Sequence, residues 1–126
     1  MNDYFKLFLS QEAEEFLYSL PVMARRKMMY NIRRIQEGER NKELFKKLEN
    51  SEIWEFRTLY NKLAYRLFAF WDKEEETLII ATHGIIKKTQ KTPLKEIIKA
   101  ERLRQEYFNN KKTKTRSKKS RLQRLL

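Results

Sequence analysis

Lys87, Lys88 and Lys91 fall within five positions of one another, in a stretch from Thr77 to Lys95 that has no acidic residue. Cations crowded onto a short segment repel one another, and such a cluster is kept for an anionic partner, with a phosphate backbone the natural candidate. A lysine there acts as a phosphate clamp or, with its pKa depressed by neighbouring cations, as a proton-transfer group. The bland alternative is a solvated charge run. Next to the lysines stands His83, the only histidine, whose ordinary pKa of about 6.5 suits acid–base work. The alternative for His83 is a satisfied histidine at the end of a strand. Thr92 reads as the N-cap and Pro93 as the first residue of a helix. That helix start adds partial positive charge to the same place.

Two arginines extend the set. Arg57 and Arg66 lie in alternating segments, and a guanidinium can fork two bonds to one phosphate where a lysine cannot. By alternation Arg66 shares a face with Phe68 and Phe70, and Arg57 follows Glu55 on one face of its strand. Either arginine is therefore a phosphate ligand or the partner of a sheet carboxylate such as Glu55. Tyr60, in a turn between strands, is free to stack on a base, and Lys62 follows it. Trp54, Phe56, Tyr65 and Trp71 are assigned to the core.

Several elements must hold these residues. Tyr4–Leu9 suits a buried strand. Ser10 caps a helix with Glu12, Glu14 and Glu15 at its start and an apolar side of Phe16, Leu17 and Leu20. Pro21 opens a second helix with a stripe of Met28, Ile32 and Ile35, and Gly38 ends it. Ile53–Thr58, Leu63–Trp71 and Thr77–His83 are strands, the last two joined through a polar turn at 72–76. Phe45–Leu48 adds a short edge piece. The final helix turns Ile97, Ile98, Ala100 and Leu103 inward. The predicted class is α+β: an antiparallel sheet of three to four main strands plus an N-terminal strand, an N-terminal helical hairpin and a C-terminal helix.

Composition sets outer limits. The 126 residues suit one modest core, and apolar residues at 40% suffice to fold it. Net charge is +12, which favours nucleic acid or anionic surfaces as partners. Eight Lys or Arg and no acid lie in 109–126, leaving +4 for 1–108. The chain therefore divides into a folded domain, 1–108, and a basic tail, 109–126, expected to be disordered or a frayed continuation of the last helix. Lys111 and Lys112 open that tail as RNA contacts. With no cysteine, disulfides and thiolate metal sites are excluded. No apolar run approaches the roughly 20 residues of a membrane span. A cytoplasmic protein with no membrane partner is expected.

Three pieces carry a resemblance: Ile53-Trp54-Glu55-Phe56-Arg57, then Tyr65-Arg66-Leu67-Phe68, then His83-Gly84-Ile85-Ile86-Lys87-Lys88-Thr89-Gln90-Lys91-Thr92-Pro93 followed by Glu96, Ile97, Ala100 and Arg102. In this order and spacing, over about residues 4–108, the chain resembles the RelE/HigB-like toxins of type II toxin–antitoxin systems, most closely the phage-derived HigB-like branch. The resemblance implies the RelE-like fold and a ribosome-dependent endoribonuclease that cleaves mRNA without metal or cofactor. It implies a HigA-like helix-turn-helix antitoxin as partner, with operator DNA contacted only through that antitoxin. It makes Arg66 the first choice for transition-state stabilisation, with Lys87, Lys88, Lys91, His83 and Arg57 as further catalytic candidates. Thr89 and Gln90 would orient phosphate or base. Some such toxins carry several lysines on the strand matching Ile53–Arg57, whereas here only Arg57 is basic. Glu55 could itself be the base, which leaves the general base open. Two other classes stand beside this one: a non-catalytic RNA- or DNA-binding protein of the same fold, and a degenerate relative that persists as an antitoxin-bound regulator.

Overall fold

The computed structural model describes residues 4–75, 78–88 and 91–125. In chain order the elements are β1 (Lys6–Leu9), α1 (Gln11–Ser19), α2 (Val22–Gln36), β2 (Phe45–Lys47), β3 (Trp54–Tyr60), β4 (Leu63–Asp72), β5 (Leu78–Lys87) and α3 (Leu94–Leu125), with one 3₁₀ turn at Lys73–Glu75. The strands form a single sheet in the order β1-β5-β4-β3-β2. Pairing is antiparallel except between β1 and β5, which run parallel. This is the expected α+β class, with helices at the N-terminal side and one at the C-terminal side.

Local chemistry explains the boundaries. The Ser10 hydroxyl oxygen accepts the Ala13 N–H at 3.1 Å and its proton goes to the Thr82 carbonyl at 2.7 Å, so one side chain caps α1 and ties it to β5. Pro21 is the residue before α2 rather than its first. At the other end of α2, Gly38 takes φ +106° while its N–H reaches the Ile35 carbonyl and that of Glu39 the Arg34 carbonyl. This pair of bonds is the Schellman stop, and a side chain at Gly38 would also strike the Tyr4 ring. Asn61 and Lys62, at φ 51° and 66°, make the two-residue turn that joins β3 to β4.

The sheet is covered on both faces. One face buries Phe56, Tyr65, Leu67, Ala69 and Ile79 under Leu17, Met28 and Ile32 of α1 and α2. The other buries Phe68, Phe70 and Ile80 under Ala100 of α3, with Ile97 and Tyr107 packed alongside. Each large apolar side chain buried in this way contributes about 1.5–3 kcal/mol. Ile98, expected in the core, is 59% exposed because the long helix presents only one stripe to the sheet. Gly84 lets α1 approach: a Cβ there would lie 2.2 Å from the Phe16 ring.

β5 departs from the sequence expectation. Its start, expected at Thr77, lies outside the described residues, and it runs past His83 to Lys87. Phe68 pairs with His83 while Ala69 pairs with Ala81, so Thr82 is an extra residue in the ladder. This bulge moves His83 onto the α3 face, where strict alternation would have put it on the other.

Candidate active site

The middle of the sheet's α3 face carries the charge. Cross-strand pairing sets Arg57 of β3 opposite Arg66 of β4. Glu55, two residues before Arg57, points the same way and is buried. Its Oε1 lies 3.4 Å from Arg57 Nε and 3.5 Å from Arg66 Nε. Its Oε2 accepts the Thr92 hydroxyl at 2.8 Å, and that hydroxyl accepts from Lys87 Nζ at 3.4 Å. Three cations thus surround one carboxylate. Arg66 also donates to the Tyr65 carbonyl at 3.3 Å, and Arg57 to the Lys42 carbonyl at 3.1 Å.

The electrostatics follow from this crowding. Burial first, then Arg57, lowers the Arg66 pKa against the pull of Glu55. Burial first, then Arg66, lowers that of Lys87, again opposed by Glu55. Lys87 is the last residue of β5 rather than a loop residue, which explains how it is held against the arginines. α3 begins at Leu94, so Pro93 rather than Thr92 stands immediately before it, and the Thr92 hydroxyl is engaged by Glu55 and Lys87. The expected N-cap role is therefore corrected, and the residue joins the chain segment before α3 to the charge cluster.

The other candidates are placed apart. His83 is buried beneath α3, with Nδ1 3.0 Å from the Thr82 hydroxyl, Nε2 3.7 Å from Glu96 and its ring over Phe68. Burial, then Lys99, lowers its pKa against Glu96 and Glu12. It is an inner strand residue, not one at a strand end. Lys88 and Lys91 are exposed on either side of Thr89 and Gln90, which lie outside the described residues. Tyr60 ends β3, half-buried against the core, and Lys62 is exposed in the turn. Lys111 lies 2.7 Å from Asp72 Oδ2, 3.2 Å from Glu74 and 3.4 Å from Glu75, with its pKa raised chiefly by the bond to Asp72. Lys112 is exposed beside a cleft that Trp54, Trp71 and Arg104 also line.

A second cleft, of about 660 Å³, opens onto the cluster itself. Arg57 and Arg66 line it together with Lys27, Asn31 and Arg34 of α2 and Asn41 of the following loop. None of the α2 residues was singled out by sequence reasoning. The signal for Asn31 was present, since an amide adjoins the apolar stripe of Met28, Ile32 and Ile35. Among the described residues, no group of three His, Asp or Glu side chains converges as a metal site.

One comparison with known proteins gives a match. The family model for the phage-derived Gp49-like proteins (DUF891) matches residues 15–105, from α1 through the charge cluster into α3. Neither the curated proteins nor the solved structures contain a match. With most of its length matched, the chain belongs to the Gp49-like family of phage-derived proteins, a family associated with the toxins of toxin–antitoxin systems.

Proposed function

We propose that this protein is the toxin of a type II toxin–antitoxin pair, a ribosome-dependent endoribonuclease that cleaves mRNA without a metal ion. The observation that carries the reading is the charge cluster: Arg57, Arg66 and Lys87 gathered about the single carboxylate of Glu55. Three cations against one anion leave positive charge where a phosphate can be held, and the same cluster supplies an acid and a base.

In this mechanism the RNA phosphate displaces Glu55 from the arginines. The freed carboxylate takes the proton of the ribose 2′-OH, and the 2′ oxygen attacks phosphorus. Arg66 and Arg57 stabilise the charge on the phosphorane-like transition state. Lys87, whose lowered pKa makes it a better proton donor, protonates the departing 5′ oxygen. The products are a 2′,3′-cyclic phosphate and a 5′-OH. Lys88, Lys91 and Lys62 contribute charge along the RNA path. The family implies an antitoxin partner, and a HigA-like helix-turn-helix protein fits that role. Residues 1–108 carry the activity, and the basic stretch 109–126 adds RNA affinity.

One observation favours a binding-only relative instead. Arg66 is 2% exposed and Glu55 occupies the arginines, so cleavage requires the cluster to open. Mapping of 5′ ends on an mRNA in a purified translation reaction separates the two. Cuts at A-site codons, absent with Arg66→Ala, are the expected result. Intact mRNA with folded, antitoxin-free protein would leave the binding-only reading.

A further inference from the structure

The cleft beside Lys112 stands apart from the charge cluster. Trp54 pairs with Ala69, three residues along β4 from Arg66, and Trp71 is two residues further. At the usual strand rise this is about 10–17 Å from the arginine, too far for one phosphate to touch both places. The cleft is walled by the end of β2, the turn after β4 and one side of α3. Its volume of about 600 Å³ lies within the roughly 300–1,000 Å³ of small-ligand sites.

Its walls pair aromatic rings with cations. Trp54 and Trp71, both half-buried, meet edge to face at 6.5 Å, and Phe45 stacks on Trp54 at 4.7 Å. The Arg104 guanidinium lies 5.3 Å from the centre of the Phe108 ring. Its Nε is buried and has no hydrogen-bond partner among the described residues. Its Nη1 is 3.8 Å from Glu101, beyond hydrogen-bond length, and the other Glu101 oxygen already accepts the Glu52 N–H at 2.8 Å. A buried donor without an acceptor calls for an explanation, and an anionic ligand supplies one. The two acids on the walls have cations of their own: Glu52 lies 3.9 Å from Lys47 and Glu74 3.2 Å from Lys111. Lys73 and Lys112 are exposed at the rim and make no ion pair among the described residues. Aromatic faces interleaved with such cations are how proteins hold single-stranded nucleic acid: bases stack while phosphates meet the charges. An acidic peptide would meet the cations and leave the indoles idle. The sequence past Lys112 adds six Lys and Arg and no acid, charge that a polyanion can follow.

We infer that this cleft is a second nucleotide site, remote from the charge cluster: it takes one unit of single-stranded RNA, with the base against Trp54 and Trp71 and the phosphate on Arg104, Lys73 and Lys112. Stacking of this kind tolerates any base, so the site adds affinity and anchorage rather than sequence choice. It goes beyond the ribonuclease reading and stands equally for a protein that binds RNA without cutting it.

The test is titration of the full chain, followed by tryptophan emission, with adenosine 5′-monophosphate, ribose 5-phosphate and a short oligoadenylate. The chain has two tryptophans and both line the cleft, so a base stacked there alters the emission directly. The nucleotide and the oligomer are expected to quench it, and ribose 5-phosphate to leave it unchanged. The oligomer should bind at least about ten-fold more tightly than the nucleotide, because its backbone meets further cations. Arg104→Gln should weaken the oligomer about ten-fold, the loss of one charged hydrogen-bond donor. Should that variant unfold, the double change Lys73→Gln and Lys112→Gln, at two exposed positions, should weaken it in the same direction. Arg66→Ala should keep the quench by the nucleotide, since the two places are separate. Emission unchanged by the oligomer, affinity untouched by the Arg104 and lysine variants, or a quench lost with Arg66→Ala would overturn the site. A nucleotide that binds as tightly as the oligomer would overturn the RNA assignment in favour of a free nucleotide. A response to poly-aspartate and none to oligoadenylate would give the cleft to an acidic protein instead.

Discussion

Lys87 is the residue at which the proposed chemistry is most exposed to test. A phosphate clamp needs only its charge, whereas a proton donor needs a pKa near the working pH. Burial and Arg66 both lower that pKa from its ordinary 10.5, so the fraction of protonated donor, and with it the rate, should fall as pH rises through the lowered value. Lys87→Arg keeps the cation and removes the titration. It should lower the single-turnover rate by about 10²–10⁴-fold and abolish the alkaline fall, with RNA binding retained; a variant within ten-fold of the parent would make Lys87 a clamp. Lys62 offers a second test at this scale. A non-glycine residue in the left-handed region, here φ 66°, costs about 1–2 kcal/mol. Lys62→Gly should therefore raise the thermal midpoint while weakening RNA binding, and a stabilised variant with unchanged affinity would show that the lysine is not an RNA contact.

Among the elements, α3 needs the most explanation, because it closes one face of the sheet while Thr92, just before it, reaches the charge cluster. Its far side is fastened by Asp72, which accepts from the Tyr107 hydroxyl at 2.6 Å and from Lys111 at 2.7 Å. Burial alone would raise the Asp72 pKa, yet the bonds from Lys111 and Tyr107 hold it below the ordinary carboxylate value. Burial first, then the bond to Asp72, pushes Tyr107 up to about 12 against the opposing charge of Lys111. Since the unfolded chain then takes up the Asp72 proton first, this contribution is full above about pH 4 and is lost as pH falls through the lowered folded value. Asp72→Asn should cost about 1–3 kcal/mol in denaturant unfolding at pH 7. The gap from the parent should narrow in more acid solution, and a gap independent of pH would deny the latch. His83 is buried and titrates low in both proteins, so its own loss of stability below about pH 6.5 cancels in the comparison. These elements differed in how legible they were. Periodicity exposed the stripe of α2 and the alternation of β3, whereas β4, buried on both faces, was legible only as a strand rich in apolar and aromatic residues. The Thr82 bulge was invisible, since an inserted residue leaves composition and alternation intact while reversing the facing of everything after it. Glu55 was legible as a possible partner of either arginine but not as the hub of both, because Thr92 reaches it from 37 positions away. Asn31 was passed over because a helix pattern is read for its apolar members.

At the scale of the whole molecule, charge is divided between a site and a handle. The cluster on the sheet is compact, buried and bounded by Glu55, whereas the basic run extends along the end of the chain, with α3 continuing to Leu125. Compact buried cations select geometry, while a linear basic run adds affinity through counterion release and little selectivity. Lys111 does not belong wholly to the handle, because Asp72, Glu74 and Glu75 hold it against the domain. A truncation after Lys112 therefore keeps the latch and removes the six Lys and Arg of 113–126. Binding to single-stranded RNA should then weaken, and the slope of log affinity against log salt should become shallower by up to about 4, at roughly 0.7 per neutralised phosphate. Among the described residues neither the core clusters nor the cleft at the charge cluster includes one beyond Lys112, so thermal stability and the choice of cleavage codon should stay as they are. An unchanged salt slope would show that the handle does not touch RNA, and a changed codon choice would show that it helps to position the substrate rather than merely to retain it.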